Sequence, residues 1–199
     1  MSGAGAPLGR DAAWVVLETP LNSAELAAFH RDLEQLYRIN PFLEFASWER
    51  SAPASFRAEV LNHSNGLRSV MTASVTRTSD RALRVDYTEG LKQSTRVEIR
   101  PAPAGSRLTI TDEYGSTGAG AQDAEVDRSL HAWGVALKTY LERDRRWGWI
   151  PLYRRFMRRV WLPLKPAARR ITFLILVIGL ADIVLIALGL AIYWIESGP

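Results

Sequence analysis

The architecture of this chain depends on one stretch, Val126-Asp-Arg-Ser-Leu-His-Ala-Trp-Gly-Val-Ala-Leu-Lys-Thr-Tyr-Leu141. Its apolar side chains recur at helical spacing and form one stripe: Val126, Leu130, Trp133, Leu137, Tyr140 and Leu141. Such a stripe is typical of an amphipathic helix that packs on another element. The pattern therefore predicts a long helix over about residues 123–146, and the preceding residues must supply the surface that covers it.

Seven strands are predicted before this helix. Trp14-Val-Val-Leu17 is the first, and six runs follow between turn residues, at about 42–49, 55–62, 67–77, 82–89, 93–100 and 107–113. Several runs alternate apolar and polar residues, as Phe56, Ala58 and Val60 do with the charged residues between them. Alternation of this kind indicates an antiparallel sheet with one covered face and one wet face.

One or two helices are predicted between the first and second strands. Asn22 and Glu25 have the spacing of a capping box, and apolar residues follow at helical period up to Asn40-Pro41. His30 lies in this region beside Arg31 and Asp32, and we expect it at the surface.

The predicted class is α+β, with a curved seven-stranded antiparallel sheet around a long C-terminal helix. This element order resembles the helix-grip fold of the START and Bet v 1-like (SRPBCC) superfamily, particularly its bacterial polyketide cyclase/dehydrase-like branch. Two segments carry the resemblance, Leu36-Tyr-Arg-Ile-Asn-Pro-Phe-Leu-Glu-Phe45 and the helix Val126–Leu141. It covers about residues 12–146 and implies a hydrophobic ligand held between sheet and helix, such as a lipid, sterol, quinone or polyketide. It transfers no catalytic residue, because the family has no fixed catalytic motif.

Strand parity predicts which side chains face the interior. The candidate ligand-binding residues are Phe45, Phe56, Val60, Met71, Val85, Tyr87, Val97, Ile99 and Ile110 on the sheet, with Leu130, Trp133 and Leu137 on the helix. The same residues would also serve as an ordinary core, so the pattern leaves a cavity and a filled interior both open.

Evidence for catalysis or metal binding is sparse. The chain has no cysteine, and His30, His63 and His131 lie on different elements without metal-ligand spacing, so no metal or cofactor is predicted. Tyr87, Glu89 and Asp112 share the inward parity, and a carboxyl group in an apolar cavity could act as an acid or base. The alternative is that both carboxylates reach water at strand ends.

Positive charge is concentrated after the long helix. Residues 145–170 contain nine basic and no acidic residues, whereas residues 1–144 contain 16 basic and 19 acidic ones. This distribution argues against nucleic-acid binding, which needs basic residues over a folded face. Tryptophans accompany the arginines, and this favours a helix in the headgroup region over a solvated linker. The predicted membrane-interface residues are Trp147, Trp149, Arg154, Arg155, Arg158, Arg159 and Trp161.

The segment Ile171–Ile195 is predicted to span a membrane, since 25 residues hold one charge. The basic flank precedes it, so we expect the N-terminal domain in the cytoplasm. Arginine outnumbers lysine 22 to 3, which suggests a bacterial genome and hence the inner membrane. Asp182 near the centre is costly there, and with Ala187 and Ala191 it is the candidate contact with a partner helix. A lone protonated aspartate is the alternative.

The predicted organisation is a flexible leader at 1–11, a START/Bet v 1-like domain at 12–146, a basic segment at 147–170, a transmembrane helix at 171–195 and a short tail at 196–199. We expect a membrane-anchored protein that binds or transfers an apolar small molecule. The alternatives are an accessory subunit of a larger membrane complex and an enzyme of the cyclase or dehydratase type.

Overall fold

Seven antiparallel strands form one sheet in the order β1-β7-β6-β5-β4-β3-β2. The computed structural model describes residues 12–90, 92–115 and 121–197, so the predicted leader and the last two residues of the tail lie outside it. The strands are β1 Ala12–Thr19, β2 Leu43–Ala52, β3 Ser55–Asn62, β4 Leu67–Ser79, β5 Ala82–Tyr87, β6 Lys92–Ala102 and β7 Gly105–Tyr114. The helices are α1 Ser23–His30, α2 Leu33–Arg38, α3 Ala121–Trp147, α4 Pro151–Phe156 and α5 Pro166–Ser197, with a π-helical turn at Met157–Trp161. The predicted fold class is confirmed.

The capping box predicted for α1 is present. The Asn22 side chain accepts a hydrogen bond from the backbone N–H of Glu25, and the Glu25 carboxylate accepts one from the N–H of Asn22, both at 2.9 Å. Asp32 caps α2 by accepting from the N–H of Gln35 at 3.1 Å. Two short helices therefore follow β1, because each has its own cap.

Helix α3 approaches β1 closely. A Cβ atom built at Gly134 would lie 2.5 Å from Cγ2 of Val15, so a side chain there would clash with a stiff β-branched residue. Trp133, Leu137 and Leu141 on the same helix are buried. The interior thus lies between α3 and the inner face of the sheet, where the apolar stripe predicts it.

A β-bulge changes which side chains of β2 face that interior. The pairing shifts between Phe45 and Ser47, so that Phe45 opposes Val60 and Trp48 opposes Ala58. Strict alternation from Phe45 would place Trp48 on the outer face. The extra residue turns Trp48 inward as well, and Arg50 follows it because Arg50 opposes the buried Phe56.

The first of two compact units extends to Pro163, beyond the predicted domain end at residue 146. Met157 and Leu162 are buried in its core, and Tyr153, Phe156 and Trp161 pack against that core. Leu152, Phe156, Met157 and Val160 recur at helical spacing in the basic segment, but they do not form one common exposed side. Instead Phe156 and Met157 contact the domain, while Leu152 and Val160 are exposed.

The second unit, Leu164–Pro199, is dominated by α5. Among the described residues, one helix is long and apolar enough to cross a membrane, Ile171–Glu196, with a mean hydropathy of 2.9. None of its most apolar window is buried. Asp182, Ala187 and Ala191 are exposed along this helix.

Candidate functional site

Nine of the twelve predicted ligand-binding residues lie on the sheet, and the other three lie on α3. Ten of the twelve are buried, and Met71 and Tyr87 are partly buried against them. They belong to one continuous hydrophobic core. Their place in the interior agrees with strand parity, while their role in ligand binding stays a prediction.

An aromatic cluster occupies one part of this interior. The ring of Trp48 stacks on Phe56 with centroids 4.3 Å apart and planes 13° apart. Tyr37 contacts Trp48, Phe56 and Trp133, with the Trp133 centroid 5.4 Å away. The indole N–H of Trp133 donates to the carbonyl of Leu36 at 3.1 Å, which satisfies its polar atom in the core. Flat apolar walls therefore lie between α2, α3 and strands β2 and β3.

A pocket of about 360 Å³ opens beside this cluster, beneath the β2–β3 hairpin. The volume lies within the range of about 300 to 1,000 Å³ that small-molecule sites occupy. Its lining comes from the turn before α2, from α2, from β2, β3 and the turn between them, and from β4: Arg31, Leu33, Glu34, Trp48, Arg50, Pro53, Ala54, Ser55, Phe56, Val75 and Arg77. Of the twelve predicted ligand-binding residues, Phe56 lines this pocket. Hereafter we call it the hairpin pocket.

A hydrogen-bonded chain of buried polar groups crosses strands β5, β6 and β7. The hydroxyl of Thr95 donates to Oδ1 of Asp112 at 2.6 Å, and the hydroxyl of Tyr87 lies 2.9 Å from that of Thr95. Tyr37 of α2 in turn contacts the hydroxyl of Tyr87. Because Thr95 uses its hydrogen on the carboxylate, Tyr87 must donate to Thr95, and Tyr37 must donate to Tyr87. We call these four residues and Lys92 the polar chain.

Lys92 closes the polar chain at the carboxylate end. Its ammonium nitrogen lies 2.5 Å from Oδ2 of Asp112 and within 6 Å of the ring centroids of Tyr87 and Trp133. A bulge between Lys92 and Ser94 makes Lys92 oppose Tyr114, so it shares the inner side with Asp112. Asp112 is thus 2% exposed and fully partnered. The alternative that Asp112 reaches water at its strand end is wrong, while Glu89 is exposed as that alternative expects.

The two tyrosines of the polar chain remain protonated at neutral pH. Burial raises the pKa of Tyr37 and of Tyr87 well above the ordinary value, because a charged phenolate would lose its hydration. The nearby Asp112 carboxylate raises the pKa of both further. The chain is therefore a fixed series of donors that ends on an anion.

His30 is buried rather than exposed, so its predicted surface position is wrong. It is 1% exposed, and neither ring nitrogen has a hydrogen-bond partner within the described part of the chain. Burial lowers the pKa of His30 below its ordinary value of 6.5, and the charges of Arg77 and Arg31 lower it further. The carbonyls of Ala27 and Leu26 in the preceding turn oppose this shift, but neither completes a hydrogen bond by distance and angle.

His30 should therefore make the fold sensitive to acid. As pH falls through about 6.5, the unfolded chain takes up a proton before the folded chain does, so the free energy of unfolding decreases. When the pH is lowered from about 8 to about 5, we expect the free energy of unfolding to decrease less for the His30→Leu variant than for the unmodified chain. The denaturant midpoint at the two pH values measures this. The exposed His131→Gln is the control, and equal acid losses for His30→Leu and the unmodified chain would contradict the prediction.

An exposed surface of tryptophan and arginine follows α3. Trp149 and Leu152 are 77% and 76% exposed, and Trp147 is 45% exposed. Four exposed arginines accompany them, Arg154, Arg155, Arg158 and Arg159, and Trp161 is half-buried. Arg146 lies over the Trp147 ring, 5.4 Å from its centroid. The predicted membrane-interface residues are thus, except Trp161, displayed to solvent, and we call them the tryptophan–arginine surface.

The described residues hold no group of three or more His, Cys, Asp or Glu side chains able to bind a metal ion. The two carboxylates of β7 that lie next to each other, Asp112 and Glu113, are each paired with cations. On the other side of β7, Glu113 accepts from the Ser94 hydroxyl at 2.6 Å and pairs with Arg84 and Arg96, and these contacts hold the pKa of Glu113 below its usual range.

The geometry defines a fold: a seven-stranded antiparallel sheet with a long helix packed on it is the helix-grip arrangement, which START and Bet v 1-like proteins also have. A START superfamily protein from Mycobacterium smegmatis has this fold, with 18% identity, a TM-score of 0.55, and coverage of 67% of this chain and 98% of that one. The Zhui aromatase/cyclase from Streptomyces sp. R1128 is similar, with 14% identity, a TM-score of 0.56, and coverage of 68% and 95%.

A third structure, from Thermus thermophilus, matches with 14% identity, a TM-score of 0.53, and coverage of 66% and 97%. No protein-family model and no curated protein matches the chain. At these identities the structural likeness establishes the fold, and the ligand and activity have to be argued from this chain's own residues.

Proposed function

We propose that this protein binds, and presents to the membrane or withdraws from it, an apolar small molecule, while its C-terminal helix anchors it in a bacterial inner membrane with the folded domain in the cytoplasm. The observation that carries the proposal is the hairpin pocket, whose apolar walls are Leu33, Trp48, Phe56 and Val75. Solved proteins of the same fold include an aromatase/cyclase. An apolar ligand in the pocket would be stabilised by the apolar surface it removes from water.

The anchoring half of the proposal is supported by α5 and by the tryptophan–arginine surface. An exposed helix of mean hydropathy 2.9 has no apolar partner among the described residues, and a hydrocarbon core of about 30 Å would cover it. Tryptophan and arginine are the residues that bind at the level of lipid headgroups and phosphates. Together these two features would hold the protein at the bilayer that supplies an apolar ligand.

The polar chain favours one alternative, an enzyme of the cyclase or dehydratase type. For that role the Tyr87 hydroxyl would have to exchange its hydrogen bond to Thr95 for one to a substrate carbonyl oxygen, where it would stabilise the negative charge that develops. In that case Tyr87→Phe would abolish turnover of a polyketide-like carbonyl substrate while leaving its affinity largely intact. If instead the polar chain serves stability, the same variant would lower the melting temperature without changing ligand binding.

A photoactivatable long-chain alcohol tests the binding proposal on the full chain in vesicles. The pocket predicts that labelled peptides come from β2 and β3, around Trp48 and Phe56, as well as from α5. Leu67 and Val70, which are apolar but exposed on β4, provide the internal control for non-specific labelling. Labelling confined to α5 would mean that the probe reaches only the anchor, and the binding proposal would fail.

A further inference from the structure

We propose that the hairpin pocket binds an anionic amphiphile, with the acidic head group held by Arg50 and Arg77 and the apolar part against Leu33, Trp48 and Val75. This inference rests on the proposed function, because it names the polar end of the apolar ligand. The ligand class is defined by its chemistry: a carboxylate or phosphate group on an extended apolar body.

The pocket is unusual in placing arginines on the inner side of the sheet. The strand register fixes this, since Arg50 opposes the buried Phe56, and Arg77 opposes the buried Leu83. Inner positions elsewhere on β3 and β5 carry apolar residues such as Ala58, Val60 and Val85. A guanidinium in an inward position beside aromatic walls suits a ligand that is apolar and anionic at once.

The charged side chains that line the hairpin pocket do not neutralise one another. Glu34 is paired with Arg38 at 2.8 Å, and Arg31 with Asp80 at 3.0 Å. Arg50 forms no hydrogen bond or ion pair with any residue that the structure describes. Arg77 donates to the carbonyl of Arg31 at 3.3 Å and has no carboxylate partner in the described ranges. Two arginines are therefore left to pair with an external anion.

The apolar walls lie next to these arginines in the same pocket. Trp48 stacks on Phe56 and presents a flat surface, and Leu33 and Val75 complete the lining from α2 and β4. A small oxyanion such as free phosphate would leave these walls in contact with water. An amphiphile covers them and pairs with the arginines in one binding event, so it is the occupant that uses the whole lining.

The experiment compares a photoactivatable long-chain fatty acid with its methyl ester, which has the same apolar body without the charge. The full chain is placed in phosphatidylcholine vesicles at mildly alkaline pH, and labelling of the β2–β3 peptides is quantified by mass spectrometry. We expect the acid to reach half-maximal labelling at a concentration about tenfold below that of the ester, as a charge-assisted hydrogen bond predicts. Excess inorganic phosphate should weaken this labelling little.

Amino-acid substitutions test whether the preference for the fatty acid over its methyl ester arises in the hairpin pocket. Arg50→Gln with Arg77→Gln should remove the preference for the acid and leave ester labelling unchanged, while the double change to lysine should retain most of it. Arg57→Gln is the matched control, because Arg57 is an exposed arginine of the same hairpin that points to the opposite face. Melting temperatures of all variants verify that they fold.

The possible outcomes distinguish the proposal of an anionic amphiphile from the proposed function of binding an apolar molecule. Equal labelling by acid and ester, or an acid preference that survives the double glutamine change, would overturn the anionic class and leave the apolar binding function standing. Complete competition by inorganic phosphate would overturn the amphiphile in favour of a free oxyanion. Absence of β2–β3 labelling by either probe would overturn the proposed function itself.

Discussion

Ending the chain at Pro163 is expected to convert a protein that resists alkaline extraction from membranes into one that high salt releases. The full chain includes Ile171–Glu196, and insertion of so long an apolar helix into hydrocarbon is effectively irreversible. The shortened chain keeps the tryptophan–arginine surface, whose attraction to anionic lipid is screened at a Debye length of about 3 Å in 1 M salt. Sedimentation with vesicles, with and without salt and carbonate, measures both effects.

A matched variant separates the helix from the basic surface. Changing Arg154, Arg155, Arg158 and Arg159 to glutamine in the full chain should leave it in the carbonate-resistant pellet. The same changes in the chain ending at Pro163 should abolish its low-salt binding. Release of the unmodified full chain by carbonate would show that α5 does not span, and the anchoring proposal would then be withdrawn.

Asp112→Ala is expected to destabilise the folded domain by about 3 kcal/mol, since it leaves the inward Lys92 ammonium and the Thr95 hydroxyl without their partner. Asp112 is 2% exposed and accepts from both groups. The lower end of the usual cost applies because the Lys92 side chain is 29% exposed and can partly rehydrate. For a chain of this size the melting temperature should fall by about 6–12 °C.

Asp86→Ala is the control for this experiment. Asp86 pairs with Arg84 at 2.6 Å on the same sheet, but its side chain is 41% exposed, so its loss should cost less than about 1 kcal/mol. Replacing the buried pair by Lys92→Met with Asp112→Leu should recover much of the stability lost in Asp112→Ala. Equal effects of Asp112→Ala and Asp86→Ala on thermal unfolding would contradict the role assigned to the polar chain.

Local sequence patterns were sufficient to predict the helices and strands, and to predict which side chains of most strands face the interior. Phe56, Ala58 and Val60 alternate with charged residues and are all buried, and the Asn22–Glu25 spacing produces the capping box it predicts. These signals act within a few residues, so the sequence carries them directly. The stripe on α3 likewise predicts burial, and the side chain of Val126 lies outside the described part of the chain, while the others are buried: Leu130, Trp133, Leu137, Tyr140 and Leu141.

The bulges account for the side chains that the sequence pattern missed. Parity counted along β2 places Trp48 and Arg50 outward, and parity counted along β6 places Gln93 rather than Lys92 inward. One extra residue in each strand reverses the assignment beyond it. The alternation of apolar and polar residues contains no signal for the extra residue. Only the strand register therefore shows that Trp48 and Arg50 line the hairpin pocket and that Lys92 belongs to the polar chain.

The burial of particular polar side chains was the second feature that local sequence patterns did not decide. The chemical character of Asp112 and His30 favours the surface, and their burial depends on partners or packing from distant segments. Asp112 is matched by Lys92, Thr95 and Tyr114, whereas His30 is enclosed without a hydrogen bond among the described residues. The extent of the folded unit depended on packing too, because Met157 and Leu162 belong to its core although they lie in the basic segment.

Native mass spectrometry with lipid extraction would show whether the folded domain retains an apolar ligand. The full chain and the chain ending at Pro163 would be compared, the latter because truncation at residue 146 removes two buried residues of the core, Met157 and Leu162. We expect both chains to retain one defined apolar molecule that bears an acidic group. A domain that is empty in both, with co-purifying proteins found only on the full chain, would contradict this expectation and favour an accessory subunit.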